Sequence, residues 1–149
     1  MAAGIAQHLL AEMEVEDSSS ADGSKKSKWS VESAGIACFG GGSAAAEAVN
    51  ALKKRGIDIS GHRSQPLTID LISRATVIYG MAQHHVDAVL DFVMDAAAKA
   101  HLLDPEGGDI SDPIGMGQAV YEQTAAQLEK LIRIRIAEIT KARTAKGRS

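Results

Sequence analysis

The sequence contains a single cysteine, Cys38, and no large excess of charge of either sign. One cysteine excludes a disulfide within the chain. A formal net charge of -3 gives no electrostatic reason to expect nucleic-acid binding. No apolar run approaches the roughly 18 residues that a membrane span needs, and the first residues lack the pattern of a signal peptide. We therefore expect a cytoplasmic protein with no nucleic-acid and no membrane partner.

The composition is typical of one soluble domain, with 45% hydrophobic and 23% charged residues. A chain of 149 residues is long enough to bury a substantial core. We predict one domain over residues 1–140. Within it, the Ser-, Gly- and Lys-rich segment 18–28 cannot bury apolar surface, so we expect a flexible loop there. Residues 141–149 are predicted to form a basic tail.

Helix and strand patterns alternate along the chain, which predicts an α/β fold with a parallel sheet covered on both faces. Ser43 and Thr68 stand where helix N-caps are expected, and three glycines at 40–42 predict a turn. The predicted helices cover residues 2–15, 44–55, 69–74 and 82–98 and a last segment around 128–139, and the predicted strands cover 29–35, 75–80 and 99–103.

Three aspartates, Asp104, Asp109 and Asp112, share one Gly- and Pro-rich loop between the last strand and the last helix. Loops at the carboxyl ends of parallel strands are where α/β folds bind ligands. An aspartate held there by a following proline can act as a general acid, or the three can help to hold a metal ion. The simpler interpretation is a turn in which Asp and Pro set the backbone and cap the last helix.

Other candidate groups have weaker patterns. A reactive thiolate needs an electropositive setting, but Cys38 has no arginine at the spacing of a phosphate-binding loop, where Ala44 stands instead. We therefore interpret Cys38 as a structural thiol. The five histidines show no ligand spacing, so we predict neither a metal site nor a cofactor.

Three segments of the chain carry a family resemblance: VESAGI at 31–36, GIDISGHRSQPLT at 56–68 and SDPIG at 111–115. From Met1 to about Ile139 the chain resembles the low-molecular-weight protein-tyrosine phosphatases, a family that includes bacterial protein-arginine phosphatases. The resemblance implies a three-layer, flavodoxin-like α/β sandwich with a small parallel sheet. It also implies a phosphoprotein substrate and a cysteine nucleophile, and it indicates no oligomeric state.

The resemblance also implies roles for single residues. Asp112 matches the general acid. Ser33 and His62 match positions that hydrogen-bond to the phosphate loop and hold its shape. Phe39 lies in the variable loop that forms a wall of the substrate pocket. Ile114 stands where many tyrosine-specific members have an aromatic residue, which leaves both phosphotyrosine and phosphoarginine open as substrates.

The family's catalytic loop, Cys-x5-Arg, does not occur in this sequence. Met1-Ala2 falls where the family has Met-Ala directly after that loop, so we expect the family's first strand and loop to be missing from this chain. We predict that the 149 residues alone are inactive and that a longer form carries the nucleophile. The alternatives are a non-catalytic binding module derived from this fold and, more weakly, a metal-dependent hydrolase built on the three aspartates.

Overall fold

The computed structural model describes residues 1–17 and 29–146, which form an alternating arrangement of helices and short strands. The predicted flexible loop at 18–28 lies outside the described residues. No described helix is both long and apolar enough to cross a membrane. The elements, in chain order, are α1 (Ala2–Asp17), α2 (Ala46–Lys53), α3 (Ile69–Arg74), β1 (Ile78–Gly80), α4 (Gln83–Phe92), a 3₁₀ helix (Met94–Ala98), β2 (Ala100–Leu102) and α5 (Gln118–Lys146).

A two-stranded parallel sheet lies between two layers of helices. β1 pairs with β2 in a register that places Ile78 beside Ala100 and Gly80 beside Leu102. Because successive side chains of a strand point to opposite faces, Ile78 packs into one apolar cluster and Tyr79 into the other. Each face of the sheet is therefore covered, and the predicted parallel α/β fold with three layers is confirmed.

The larger apolar cluster holds α1, α2 and α5 on one face of the sheet. The predicted apolar stripe of α5 is confirmed, since Leu128, Leu131, Ile132 and Ile136 are all buried. Opposite this stripe, α1 buries Ile5 and Leu9, and α2 buries Leu52.

The smaller cluster holds α3, α4 and the 3₁₀ helix on the other face of the sheet. Its buried residues are Ile72, Val89, Ala96 and Ala100. Lys99 reaches across this layer, and its ammonium group donates hydrogen bonds to the carbonyl oxygens of Ile72 (2.6 Å) and of Ala75 at the end of α3 (2.8 Å). A lysine at this helix terminus satisfies carbonyl groups that have no partner within the helix.

The predicted strand at 29–35 is wrong for most of its length. Residues 29–34 form no regular element, and only Gly35 makes a bridge, to Pro66. Gly35 N–H donates to the Gln65 carbonyl, and Leu67 N–H donates to the Gly35 carbonyl, both at 2.9 Å. A β-prone segment becomes a strand only when a neighbouring strand pairs with it, and no strand of the described chain lies beside 29–34.

Two predicted helix boundaries also need correction. Ser43 is not an N-cap, because it bridges to Arg63, and α2 begins only at Ala46. The predicted helix 82–98 is two elements, since Val93 adopts an extended conformation (φ -142°, ψ 97°) between α4 and the 3₁₀ helix.

Other predicted features are confirmed. Thr68 caps α3, its hydroxyl accepting a hydrogen bond from Leu71 N–H at 3.2 Å. The turn at 40–42 contains Gly40 and Gly41 with positive φ angles of 92° and 79°, which favour glycine. Helix α5 extends beyond its predicted end near Ile139 and continues to Lys146, through the predicted boundary between the domain and the basic tail.

Candidate active site

The candidate site lies where the chain leaves the carboxyl ends of the two parallel strands. β1 leads through Met81 and Ala82 directly into α4, and β2 leads into the long loop 103–117 that precedes α5. In α/β folds this edge of the sheet is where ligands bind. The loop carries all three aspartates singled out in the sequence.

The structure gives the three aspartates of this loop three different partners. An Asp104 carboxylate oxygen accepts a hydrogen bond from Glu106 N–H at 2.9 Å, which shapes a turn inside the loop. Asp109 accepts from the N–H of Gln83, the first residue of α4, also at 2.9 Å. Asp112 accepts from Ile114 N–H at 3.1 Å. In the described part of the chain, no group of three or more His, Cys, Asp or Glu side chains is arranged to hold a metal ion, so the metal-dependent alternative has no structural support.

Asp112 is exposed and is followed by the buried ring of Pro113. Its hydrogen bond to Ile114 N–H spans only two residues, which is the geometry of an Asx turn. Asp112 also lies close enough to Tyr121 to affect the pKa of its hydroxyl group. Burial raises the pKa of Tyr121, and the carboxylates of Glu47 and Asp112 raise it further. Asp112 is therefore a solvent-accessible carboxyl group on a backbone anchored by proline.

A second group of candidate residues is held by the pairing of two loops, residues 33–43 and 62–67. The Gly41 N–H donates to the Ser64 carbonyl at 2.7 Å, and Ser64 N–H donates to the Gly42 carbonyl at 2.8 Å. At the other end, the side-chain amide of Gln65 donates to the Ser33 carbonyl at 2.9 Å. These bonds fix the backbone on which Ser33, Phe39 and His62 stand.

The side chains of these three residues differ in exposure. Ser33 is exposed, His62 is half-buried, and Phe39 is fully exposed at the tip of its loop. The Ser33 hydroxyl and the His62 imidazole make no hydrogen bond to any residue that the structure describes. No hydrogen bond joins either of them to Asp112 within those same residues. Ser33, Phe39 and His62 therefore lie on one pair of loops and Asp112 on a separate loop.

Cys38 lies in the first of these loops and is half-buried. Its sulfur accepts a hydrogen bond from Gly40 N–H at 3.2 Å. A hypothetical side chain on Gly35 would come within 2.9 Å of the Cys38 β-carbon, so the thiol side chain is packed against its own loop.

His85, which is not among the predicted site residues, lies beside the acidic loop, the segment 103–117 that carries the three aspartates. Its Nδ1 accepts a hydrogen bond from Ala82 N–H at 3.2 Å. Burial lowers the pKa of His85 and His84 lowers it further, while Asp109 and Asp112 act in the opposite direction. The spacing offered a signal: His85 is the third residue of α4, a position whose side chain often reaches back to the N-cap.

Comparison with known proteins identifies the family. The family model described as low molecular weight phosphotyrosine protein phosphatase matches residues 2–145. The chain belongs to this family. A protein-arginine-phosphatase of Geobacillus stearothermophilus is 35% identical over 106 residues, which cover 68% of this chain and 71% of that protein. A probable low molecular weight protein-tyrosine-phosphatase, EpsP of Ralstonia solanacearum, is 33% identical over 104 residues, covering 68% and 70%.

Solved structures of the low-molecular-weight phosphatases have the same fold as this chain. The low molecular weight protein tyrosine phosphatase from T. tengcongensis is 32% identical, with a TM-score of 0.77 over 92% of this chain and 88% of its own. The YwlE arginine phosphatase, solved as a cysteine-to-serine mutant with a phosphorylated active-site serine, is 27% identical, with a TM-score of 0.80 over 96% and 88%. The flavodoxin-like fold implied by the sequence is thereby confirmed.

Proposed function

We propose that this chain supplies the general acid, Asp112, of a cysteine-dependent protein phosphatase, and that the nucleophile belongs to a Cys-x5-Arg loop that the 149 residues do not contain. The observation that carries the proposal is the exposed Asp112 carboxyl group on a proline-anchored loop after β2. Membership of the phosphatase family supports the reaction class. Asp112 is exposed to solvent, so it can both donate a proton and recover one.

In the proposed reaction a cysteine thiolate attacks phosphorus and the bond to the leaving atom breaks. Asp112 transfers its proton to that leaving atom, the phenolic oxygen of phosphotyrosine or the guanidino nitrogen of phosphoarginine. Water then attacks the phosphocysteine while the Asp112 carboxylate takes a proton from it, which releases phosphate and the thiolate and restores the acid. The phosphorylated active-site serine of the mutant YwlE relative supports a covalent phosphoenzyme in this family. Backbone N–H groups and the arginine of the loop would stabilise the charge on the transferring phosphoryl group.

The magnitudes argue that the 149 residues are inactive by themselves. A positioned general acid contributes about 10²–10⁴-fold to a rate. Removing the nucleophile of a serine protease lowered turnover by about 10⁶-fold, although the other catalytic groups were still present. Cys38 does not replace the missing thiolate, because it is packed against its own loop and lacks an arginine at the required spacing.

The pairing of the sheet supports a missing strand. Within the described chain, β1 is paired on one side only, by β2. The sequence of residues 29–34 favours a strand, but no strand of the described chain pairs with them. A further strand beside the unpaired side of β1 would give β1 a second strand partner. Unpaired strand edges are unfavourable, so we expect the completed protein to be more stable than the 149 residues.

The substrate proposed is a phosphoprotein carrying phosphotyrosine or phosphoarginine. Ile114, which is 72% exposed, follows the Asp112-Pro113 pair and offers an aliphatic surface in place of an aromatic ring. Relatives named for each activity are similar to this chain to nearly the same extent, at 35% and 33% identity. A comparison of both phosphopeptides with the completed protein decides between them.

The test is the substitution Asp112→Ala in the protein completed with its Cys-x5-Arg loop. Turnover should fall by about 10²–10⁴-fold on substrates with poor leaving groups and much less on an activated aryl phosphate, whose leaving group needs little protonation. The high-pH limb of the rate profile should flatten as well. Asp95→Ala, an exposed aspartate of the 3₁₀ helix, is the matched control. Unchanged turnover of Asp112→Ala on a poor leaving group would contradict the general-acid role of Asp112.

A completed protein that binds phosphopeptides without hydrolysing them would favour the binding-module alternative.

A further inference from the structure

The first amide groups of α4 donate hydrogen bonds to side chains of residues other than the N-cap residue. The N-cap residue is Ala82, which has no side-chain oxygen to accept a hydrogen bond. His85 accepts from Ala82 N–H at 3.2 Å, and Asp109 accepts from Gln83 N–H at 2.9 Å. His85 belongs to α4 itself. Asp109 lies 26 residues beyond Gln83, in the loop that carries Asp112.

A second bond holds the same loop at the adjacent position. Ile110 N–H donates to the Met81 carbonyl at 2.7 Å. The Ile110 side chain is 7% exposed and belongs to the larger apolar cluster. Two consecutive residues of the loop, Asp109 and Ile110, therefore hydrogen-bond to the turn between β1 and α4. Asp112 follows only two residues after Ile110, so the position of its backbone depends on this attachment.

We propose that Asp109 is a positioning residue for the general acid Asp112, because its bond to the first amide of α4 fixes the acidic loop against the end of β1. The proposal rests on the proposed function of Asp112. A carboxylate at this place is favoured, since the first turn of a helix presents unpaired N–H groups and a partial positive charge.

The consequence for catalysis is geometric. A general acid acts only when it lies within hydrogen-bond reach of the leaving atom. A misplacement of about 1 Å can lower a rate by about 10²-fold. Loss of the Asp109 bond leaves the Ile110 bond to Met81 in place, so the loop stays folded while its acid is held less tightly. The effect should therefore be confined to the proton-transfer step.

The first experiment measures amide hydrogen exchange by NMR in the 149-residue chain. Asp109→Ala should speed the exchange of the Gln83 and Ile110 amides by about 2- to 30-fold, the range expected for losing a helix cap. Asp109→Asn keeps an acceptor oxygen and should restore most of the protection. Asp104→Ala is the matched control, because Asp104 bonds only to Glu106 within the loop. Unchanged exchange of Gln83 and Ile110 in Asp109→Ala would overturn the proposal whatever the activity of the protein.

The second experiment measures turnover in the completed phosphatase. Asp109→Ala should lower turnover on a poor leaving group by about 10- to 100-fold and leave an activated aryl phosphate nearly unaffected, with Asp109→Asn recovering the loss. In the Asp112→Ala background the same substitution should have almost no further effect, since residues that act as a unit are not additive.

The outcomes of the second experiment separate the two proposals. If Asp112→Ala is harmless, the proposed function fails, and the exchange experiment still decides whether Asp109 holds the loop. If Asp112→Ala is severe while Asp109→Ala either has no effect or lowers turnover on both substrates equally, the positioning role of Asp109 is wrong.

Discussion

Helix α1 approaches the chain after α2 so closely at Gly4 that a methyl group has no room there. A β-carbon on Gly4 would lie 2.5 Å from Ile59 Cγ2, and 3.6 Å and 3.7 Å from side-chain carbons of Leu52 and Ile57. Optimal contact between carbon atoms is about 3.5–4.0 Å. Ile59 is 8% exposed, and its β-branched side chain has little freedom to rotate away. We predict that Gly4→Ala lowers the free energy of unfolding.

Two opposing effects set the size of this change. Alanine is favoured over glycine inside a helix by about 0.8–1.0 kcal/mol. Inserting a carbon into a packed core costs about 1–3 kcal/mol. The distance to Ile59 is far below ordinary contact and the neighbour is a stiff core side chain, so the cost should lie in the upper part of that range. The net loss of stability should then be about 1–2 kcal/mol.

Urea unfolding followed by circular dichroism measures this loss as a lower midpoint at unchanged slope. The double variant Gly4→Ala/Ile59→Ala tests the cause, because removing Cγ2 should make alanine at residue 4 favourable. Gly61→Ala is the control, since no atom lies within 4 Å of the added carbon. A Gly4→Ala variant more stable than the parent would refute the close approach of α1 to Ile59.

Two further predictions concern the hydrogen bond that caps α3 and the titration of His85. Thr68→Ala should lower the free energy of unfolding by about 0.5–2 kcal/mol through loss of the α3 cap, and Thr68→Ser should not; equal urea midpoints for both variants would contradict this. Burial lowers the pKa of His85, so the folded state favours the neutral ring. Its contribution to stability is then complete above the unfolded pKa of about 6.5 and is lost as pH falls towards the folded pKa. His85→Gln should therefore lose less stability than the parent between about pH 7.5 and pH 5.5, and parallel stability curves for the two proteins would contradict the assignment.

The elements that could be predicted from sequence are those whose signals are local. The stripe of Leu128, Leu131, Ile132 and Ile136 repeats at the helical period, so it predicts both the helix and the face that it buries. Thr68 caps α3 through a bond that spans three residues. The order of strand and helix patterns likewise predicts the parallel sheet, because parallel strands need crossover connections.

The features that could not be predicted depend on distant parts of the chain. The segment 29–35 has strand propensity, but among the described residues only Gly35 makes a bridge, to Pro66, and no local pattern reports that. Ser43 is a good N-cap residue that instead bridges to Arg63, 20 positions away. The attachment of Asp109 to α4 joins two loops that are separated by a helix, a 3₁₀ helix and a strand. Among the candidate site residues, the loop carrying Asp112 was predictable, and its anchor was not.

Our central proposal is that the 149 residues hold the acid of a phosphatase site and not its nucleophile. The most direct test is hydrolysis of an activated aryl phosphate by the purified 149-residue chain, compared with its Cys38→Ser variant and with the chain completed by a Cys-x5-Arg loop. We predict turnover by the completed protein alone, with the 149-residue chain and its Cys38→Ser variant both at the level of buffer. Turnover by the 149-residue chain that disappears in Cys38→Ser would make Cys38 the nucleophile and contradict the claim.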